Sequence, residues 1–232
     1  MKKKTSIFIF PLIAMGFLLI LTNGCKKDDP KSPIETGTVT DIEGNLYKTV
    51  KIGDQWWMAE NLKVTRYRNG DSIPNVTDGD EWSNLSTGAY ADYENTASNS
   101  AVYGKLYNWY AVADSRNIAP AGWHVASYAE WTTLTTFLGG EAVAGGKLKE
   151  KGTAHWQSPN EGATNETGFS ALPGGRYHSG GSFDGLGSDG YCWSSTANSS
   201  NAWGCYMGYN FGGVDRNYFN QSSGFSVRCV RD

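Results

Sequence analysis

The chain is short of histidine, of clustered basic residues and of long apolar runs, and each shortage narrows its chemistry. Its three histidines, His124, His155 and His178, lie far apart. No H-x-x-x-H pair or Cys/His spacing joins them, so the usual zinc ligand sets are missing and no metal site is expected from them. His124 stands in an aromatic stretch and reads as structural; His155 and His178 read as exposed. No G-x-S-x-G elbow is present, and no glycine loop leads into Lys-Ser/Thr, which removes the signatures of an acyl hydrolase and of a phosphate-gripping loop. Gly174-Gly175 and Gly180-Gly181 lack that context and read as turns. The 20 Lys+Arg stand against 23 Asp+Glu without a basic stripe, so nucleic acid is not an expected partner. The one apolar run, Ile7 to Leu21, is too short for a comfortable membrane span of ~20 residues. Leu and Ile are sparse beyond it, while Gly, Asn, Ser, Trp and Tyr abound, a bias towards short strands, tight turns and ordered loops.

What is present begins at the N-terminus. Lys2, Lys3 and Lys4, the apolar run and Gly24 have the layout of a secretory signal over residues 1–24,. Cys25 directly after Gly24 is the expected lipid attachment point, with palmitate a natural acyl group. Lys26-Lys27-Asp28-Asp29 resembles the signal that sends bacterial lipoproteins to the outer face of the outer membrane. Residues 25–37 are almost without apolar side chains and read as a lipidated cysteine on a flexible tether. Loss of the leader takes three lysines and leaves 17 basic against 23 acidic residues. Residues 38–232 suit one domain with a sizeable core.

Three cysteines remain in that domain. Tyr191-Cys192-Trp193-Ser194 and Ala202-Trp203-Gly204-Cys205-Tyr206 flank the turn-forming Ala197-Asn198-Ser199-Ser200-Asn201, and the pattern predicts a hairpin with Cys192 facing Cys205 and Trp193 facing Gly204. Opposed residues come near disulfide range, so a Cys192–Cys205 bridge is expected. Phe225, Val227 and Cys229 alternate with Ser226 and Arg228, which puts Cys229 on an apolar face as an inert thiol. Earlier, residues 38–62 read as a β-meander in which Trp56 and Trp57 point to opposite faces. Residues 66–102 read as long loop. Tyr103, Leu106, Tyr107, Tyr110 and Ala111 predict one helix, and Ser127 with Glu130 predicts the capped start of a second. That helix carries Trp131, Leu134, Phe137 and Leu138 on one stripe and stops at Gly139-Gly140.

Four stretches resemble the Fibrobacter succinogenes major paralogous domain: Val50 to Leu62, Gly122-Trp123-His124-Val125 with the Glu130-Trp131 helix, Cys192-Trp193-Ser194-Ser195-Thr196, and Gly224 to Val230. They bracket residues 38–232. The family in turn is similar to the C-type-lectin-like and formylglycine-generating-enzyme folds. The resemblance implies a compact α+β domain, two helices packed on twisted antiparallel strands with long Gly/Asn/Ser-rich loops. It supplies no known reaction and so no catalytic residue. The cysteines and their neighbours do not match the pattern an oxidase would need, and the protein is not expected to be an enzyme.

Two acidic loops, Asp78, Asp80 and Glu81, then Asp92 and Glu94, could offer oxygens to calcium, but without an Asp-x-Asp-x-Asp-Gly loop they read as solvated carboxylates. Residues 176–219 mix aromatic rings with Asn, Asp, Arg, Gly and Ser, a composition favoured in binding loops. Trp193, Trp203 and Phe225 are expected in the core. Tyr177, His178, Tyr209, Phe211, Arg216 and Tyr218 are expected on the surface as ligand-binding residues. The leading expectation is a surface-displayed outer-membrane lipoprotein with a non-catalytic domain for adhesion or for capture of glycan or protein. A structural cell-envelope protein and an enzyme of unrecognised type are the alternatives.

Overall fold

The computed structural model describes residues 1–2 and 33–232; the expected leader, Cys25 and the tether up to residue 32 lie outside the described residues. Ile34–Asp232 make one unit of mixed α+β structure. Among the described residues no helix is long and apolar enough to cross a membrane.

The expected meander is β1 (Thr36–Thr40), β2 (Leu46–Ile52) and β3 (Gln55–Met58), paired antiparallel. β12 (Cys229–Arg231) and β6 (Trp123–Val125) complete this first sheet in the order β1-β2-β3-β12-β6. Period-two alternation divides its side chains between two cores. Tyr47 and Met58 join Tyr107, Trp193, Phe225 and Cys229 in one; Val50, Ile52 and Trp57 join Trp131, Leu134 and Phe169 in the other. Trp57 is fully buried, 4.9 Å from Trp131, whereas Trp56 on the opposite face is half-buried beneath Arg231.

The helices depart further from expectation. In place of a loop, residues 66–102 hold α1 (Gly79–Ser83), β4 (Tyr90–Ala91), a 3-10 turn (Tyr93–Asn95) and α2 (Ala97–Tyr103). The helix expected across Tyr103–Ala111 is not formed. Gly104 takes a φ of 79°, which ends α2, and Leu106–Tyr107 becomes β5, paired with β4. The Asn108 side chain then caps the short α3 (Trp109–Val112). The second helix, α4 (Tyr128–Phe137), carries the full Ser127–Glu130 capping box. Trp131, Leu134 and Leu138 are buried as expected, but Phe137 is 63% exposed. At 100° per residue it falls well off the Leu134–Leu138 line. After Gly139 and Gly140, both at positive φ, comes an unexpected α5 (Glu141–Leu148).

The second sheet runs β11-β10-β9-β7-β8, made of β7 (Gly174–Tyr177), β8 (Phe183–Leu186), β9 (Asp189–Asn198), β10 (Asn201–Gly208) and β11 (Asp215–Asn220). Gly174-Gly175, expected as a turn, opens β7. The β9–β10 register is the expected one, with Cys205 opposite Cys192 and Gly204 opposite Trp193. The bridge itself is a correction: Cys192, Cys205 and Cys229 are all free thiols. Cys192 and Cys205 lie in the apolar core under α4 and α5. Burial pushes the Cys192 thiol up to about 11 and raises Cys205 well above its ordinary value, holding both neutral. Neutral thiols pack there as small hydrophobes, and the ladder of sheet hydrogen bonds joins the strands. Cys229 is fully buried, as expected.

Residues 224–228 run between the two sheets and lead into β12. Tyr107 and Phe225 exchange backbone hydrogen bonds, Leu62 donates to Val227, Trp193 to Ser226 and Ala126 to Arg228. This strand therefore has core on both sides, and Arg228 as well as Cys229 is buried.

Candidate binding face

The β9–β10–β11 register decides which side chains share a surface. Tyr191 pairs with Tyr206 and Trp193 with Gly204. Tyr206 pairs with Asp215, Gly204 with Asn217 and Ala202 with Phe219. Asp189, Tyr191, Tyr206, Asp215, Asn217 and Phe219 thus belong to one face. Deep in that face Phe225 stacks on Trp193 at 4.2 Å and on Tyr191 at 4.9 Å, sealing it. Towards the opposite end the face opens. Tyr191, Tyr206, Phe211 and Phe219 are all half-buried. Tyr206 lies 4.9 Å from Tyr191 and 5.4 Å from Phe211, while Phe219 meets Tyr191 edge-on at 6.0 Å. Gly204 leaves the space over the sheet that the Phe219 ring fills.

Polar groups border these rings in fixed positions. Arg176 pairs with Asp184 at 2.8 Å and holds its guanidinium 5.0 Å from the Tyr191 ring centre. Tyr206 donates its hydroxyl to Asp189 at 2.7 Å, and Ser188 donates to the other Asp189 oxygen. Burial raises both phenols, Tyr191 to about 12, and for Tyr206 the bond to Asp189 adds to the rise. Both therefore stay neutral donors across the physiological range. Asp215 and Asn217 are exposed at the border. The arrangement offers flat apolar rings beside neutral and charged hydrogen-bonding groups.

The residues expected to bind ligand do not gather on this face. Tyr177 is buried, stacked between Trp82 at 4.3 Å and Phe183 at 3.9 Å, so its assignment to the surface is corrected. His178 is exposed in the β7–β8 turn and accepts from the Gly180 amide. Tyr209 and Phe211 are half-buried in the β10–β11 connection, and Phe211 alone touches the aromatic face. Arg216 and Tyr218 point to the other side of the sheet. There Trp203, half-buried rather than core, lies 4.5 Å from Tyr128 and 5.9 Å from Tyr218. Arg216 is bound to Thr132 and Glu141 and lies over the Tyr128 ring, which fixes α4 and α5 to β11. Tyr191 and Tyr206 had a signal: extending the Cys192–Cys205 register by one pair sets Tyr191 against Tyr206.

The acidic loops have structural partners. Asp78 caps α1 by accepting from the Glu81 amide. Asp92 is buried, takes the Ser100 hydroxyl and pairs with Lys105 at 2.9 Å, a correction to its reading as a solvated carboxylate. Among the described residues no group of three His, Cys, Asp or Glu side chains is set to hold a metal. His155 is half-buried rather than exposed, and pairs with Glu150.

His124 has both ring nitrogens engaged, Nδ1 with Asp232 and Nε2 with Glu130, each at 2.6 Å. The Ser127 hydroxyl donates to Glu130, not to the imidazole. No ring nitrogen is left to take a proton from the serine, so this is a clamp between the C-terminus and the α4 cap rather than a nucleophile–base pair. Partial burial pulls the imidazole down, but the bonds to Asp232 and Glu130 outweigh it and raise His124 above its ordinary value. A basic group raised on folding stabilises below its unfolded value, near 6.5, and loses that contribution as pH climbs through the folded one. His124→Gln should therefore lose more stability at about pH 5.5 than at about pH 8.5, either side of the ordinary imidazole value. Urea midpoints at the two pH values measure it; an equal loss at both would show that the charge on His124 does not contribute.

The sequence profile of the Fibrobacter succinogenes major domain matches residues 50–231. No curated protein and no solved structure matches the chain.

Proposed function

The chain belongs to the Fibrobacter succinogenes major domain family, and from that premise we propose that it is an exported, lipid-anchored surface protein whose domain captures glycans without chemistry. The observation that carries this reading is the open aromatic face of Tyr191, Tyr206, Phe211 and Phe219 bordered by Arg176, Asp184, Asp189 and Asn217. Sugar rings have apolar faces that stack on aromatic rings and hydroxyls that need donors and acceptors at the edge. Rigid amphipathic rings supply contact area at small entropic cost. The Arg176–Asp184 and Tyr206–Asp189 bonds hold the polar groups in place before a ligand arrives, which lowers the ordering cost of binding. Cys25, lipidated after removal of residues 1–24, would tether the domain to the outer membrane with this face towards the medium. Adhesion to a glycan-bearing surface is the role that follows.

Two measurements test the proposal. The full chain, solubilised in mild detergent, is passed over a glycan array and insoluble plant fibres. Saturable binding to a defined set of sugars is expected; uniform absence of binding contradicts glycan capture. In cells, radiolabelled palmitate should enter the wild-type protein and not Cys25→Ser, and equal labelling of both removes the anchor.

A further inference from the structure

Arg228 presents an unusual electrostatic problem. Its side chain is 1% exposed, yet no carboxylate among the described residues pairs with it. Nε donates to Asn61 Oδ1 at 2.6 Å, Nη1 donates to the Met58 and Phe169 carbonyls at 2.9 Å each, and Nη2 donates to the Ser170 carbonyl at 3.1 Å. Those acceptors are all neutral. A guanidinium has five N–H donors, so one hydrogen on Nη2 is left without an acceptor among the described residues. Burial without a paired carboxylate is costly for a cation, and Glu60 acts on the guanidinium without a hydrogen bond to it.

Beside that group lies a cavity of about 530 Å³, between β1, β2 and the segment that carries Ser170. Its size falls within the usual range for small-molecule sites, about 300–1,000 Å³. Ile34, Val50, Ala59, Val102 and Leu172 form apolar wall, and Arg228 lies at the buried end. The other charges around it are unequal in availability. Glu60 accepts only the neutral Lys48 amide and keeps its charge, whereas Glu150 is held by His155. Lys63 donates to the Ala101 carbonyl, and the Lys48 ammonium has no partner among the described residues. Arg228, Lys48 and Lys63 outnumber Glu60 and Glu150, so a lining that mixes apolar and polar side chains carries a net positive charge. The face described above lies on the other sheet and shares no residue with it.

We propose that this cavity is a second binding site, which takes a small organic carboxylate with an apolar body and sets its carboxylate against Arg228. The ligand supplies a negative charge in contact with the guanidinium and accepts the remaining Nη2 hydrogen, while its apolar part covers Val50, Val102 and Leu172.

The test is calorimetric titration of the full chain with benzoate and cyclohexanecarboxylate, alongside benzamide and inorganic phosphate. Saturable binding by the two carboxylates is expected, at least tenfold tighter than benzamide or phosphate. Thr38→Trp and Val102→Trp narrow the cavity from exposed positions and leave Arg228 in place; each should weaken carboxylate binding at least tenfold with an unchanged melting temperature. Equal binding of benzamide, equal binding of phosphate, absence of binding, or indifference to both tryptophans overturns the assignment. Because the two sites are separate, the glycan screen can fail while this titration succeeds.

Discussion

Arg228→Met is expected to destabilise the protein by about 1–3 kcal/mol, the range for leaving buried acceptors without their donor, because that loss outweighs the relief of removing an unpaired buried cation. Methionine matches the arginine stem in length and apolar character, so lost packing is a minor part of the effect. The cost comes from the acceptors left behind. Asn61 Oδ1 and the carbonyls of Met58, Phe169 and Ser170 all face the guanidinium, and a buried acceptor without a donor costs about 1–3 kcal/mol. Asn61 itself bonds the Tyr103 carbonyl and the Ser226 hydroxyl. Arg228 is therefore the joint between the end of β3, the Phe169–Ser170 segment and the strand between the sheets. Phe169 also lies under the guanidinium at 4.4 Å and packs against Trp57 and Trp131, so loosening it reaches the second core. Urea unfolding followed by tryptophan fluorescence reads the loss. A change under 1 kcal/mol would show that the fork contributes little.

Gly145→Ala should reverse the usual sign of a helix substitution. In an exposed helix interior this change stabilises by about 1 kcal/mol. Gly145 and Gly146 sit in α5 without positive φ, so backbone freedom is not why they are glycine. The reason is proximity. A Cβ on Gly145 would stand 1.8 Å from the Gly213 carbonyl oxygen, and one on Gly146 would stand 2.3 Å from that of Gly162. Both neighbours are backbone, and the Gly146 amide donates to the Gly212 carbonyl at 2.7 Å. The added methyl must push α5 off the segment that follows Phe211, at a cost of about 3 kcal/mol or more. Thermal unfolding measures it. A stabilised variant would mean that the helix and the segment can part freely.

Local features of this fold were legible from the chain. The Ser127–Glu130 box, the double glycine after α4 and the Cys192–Cys205 register are each set by neighbours within a dozen residues or so, and each is found where expected. The membership of the cores was harder to read. Tyr103, Leu106, Tyr107, Tyr110 and Ala111 repeat at helical spacing, yet Gly104 and the capping Asn108 cut the segment, and Leu106–Tyr107 pairs with a strand that no local pattern marks. α5 carries two glycines that only its contact with Gly162 and Gly213 explains. Tyr177 was misplaced for a compositional reason: with few aliphatic residues, Trp82, Tyr177 and Phe183 must build a core of stacked rings. Alternation set Arg228 opposite Cys229, but could not show that a second core covers that side too. The binding face was half legible. Its residue types stood out between Arg176 and Phe219, while the division of Tyr206 and Tyr218 between opposite faces came only with the strand register.

The central claim is that glycans are held by the Tyr191–Tyr206 face. It is tested most directly by comparing Tyr206→Ala with Tyr218→Ala against the best sugar from the array. Tyr206 faces the open aromatic surface, and Tyr218, 54% exposed, lies on the reverse side of the same sheet. Isothermal titration should give at least a tenfold loss of affinity for Tyr206→Ala, about 1.4 kcal/mol or more, and an unchanged affinity for Tyr218→Ala. The opposite pattern, or two variants that both bind like the wild type, would contradict it.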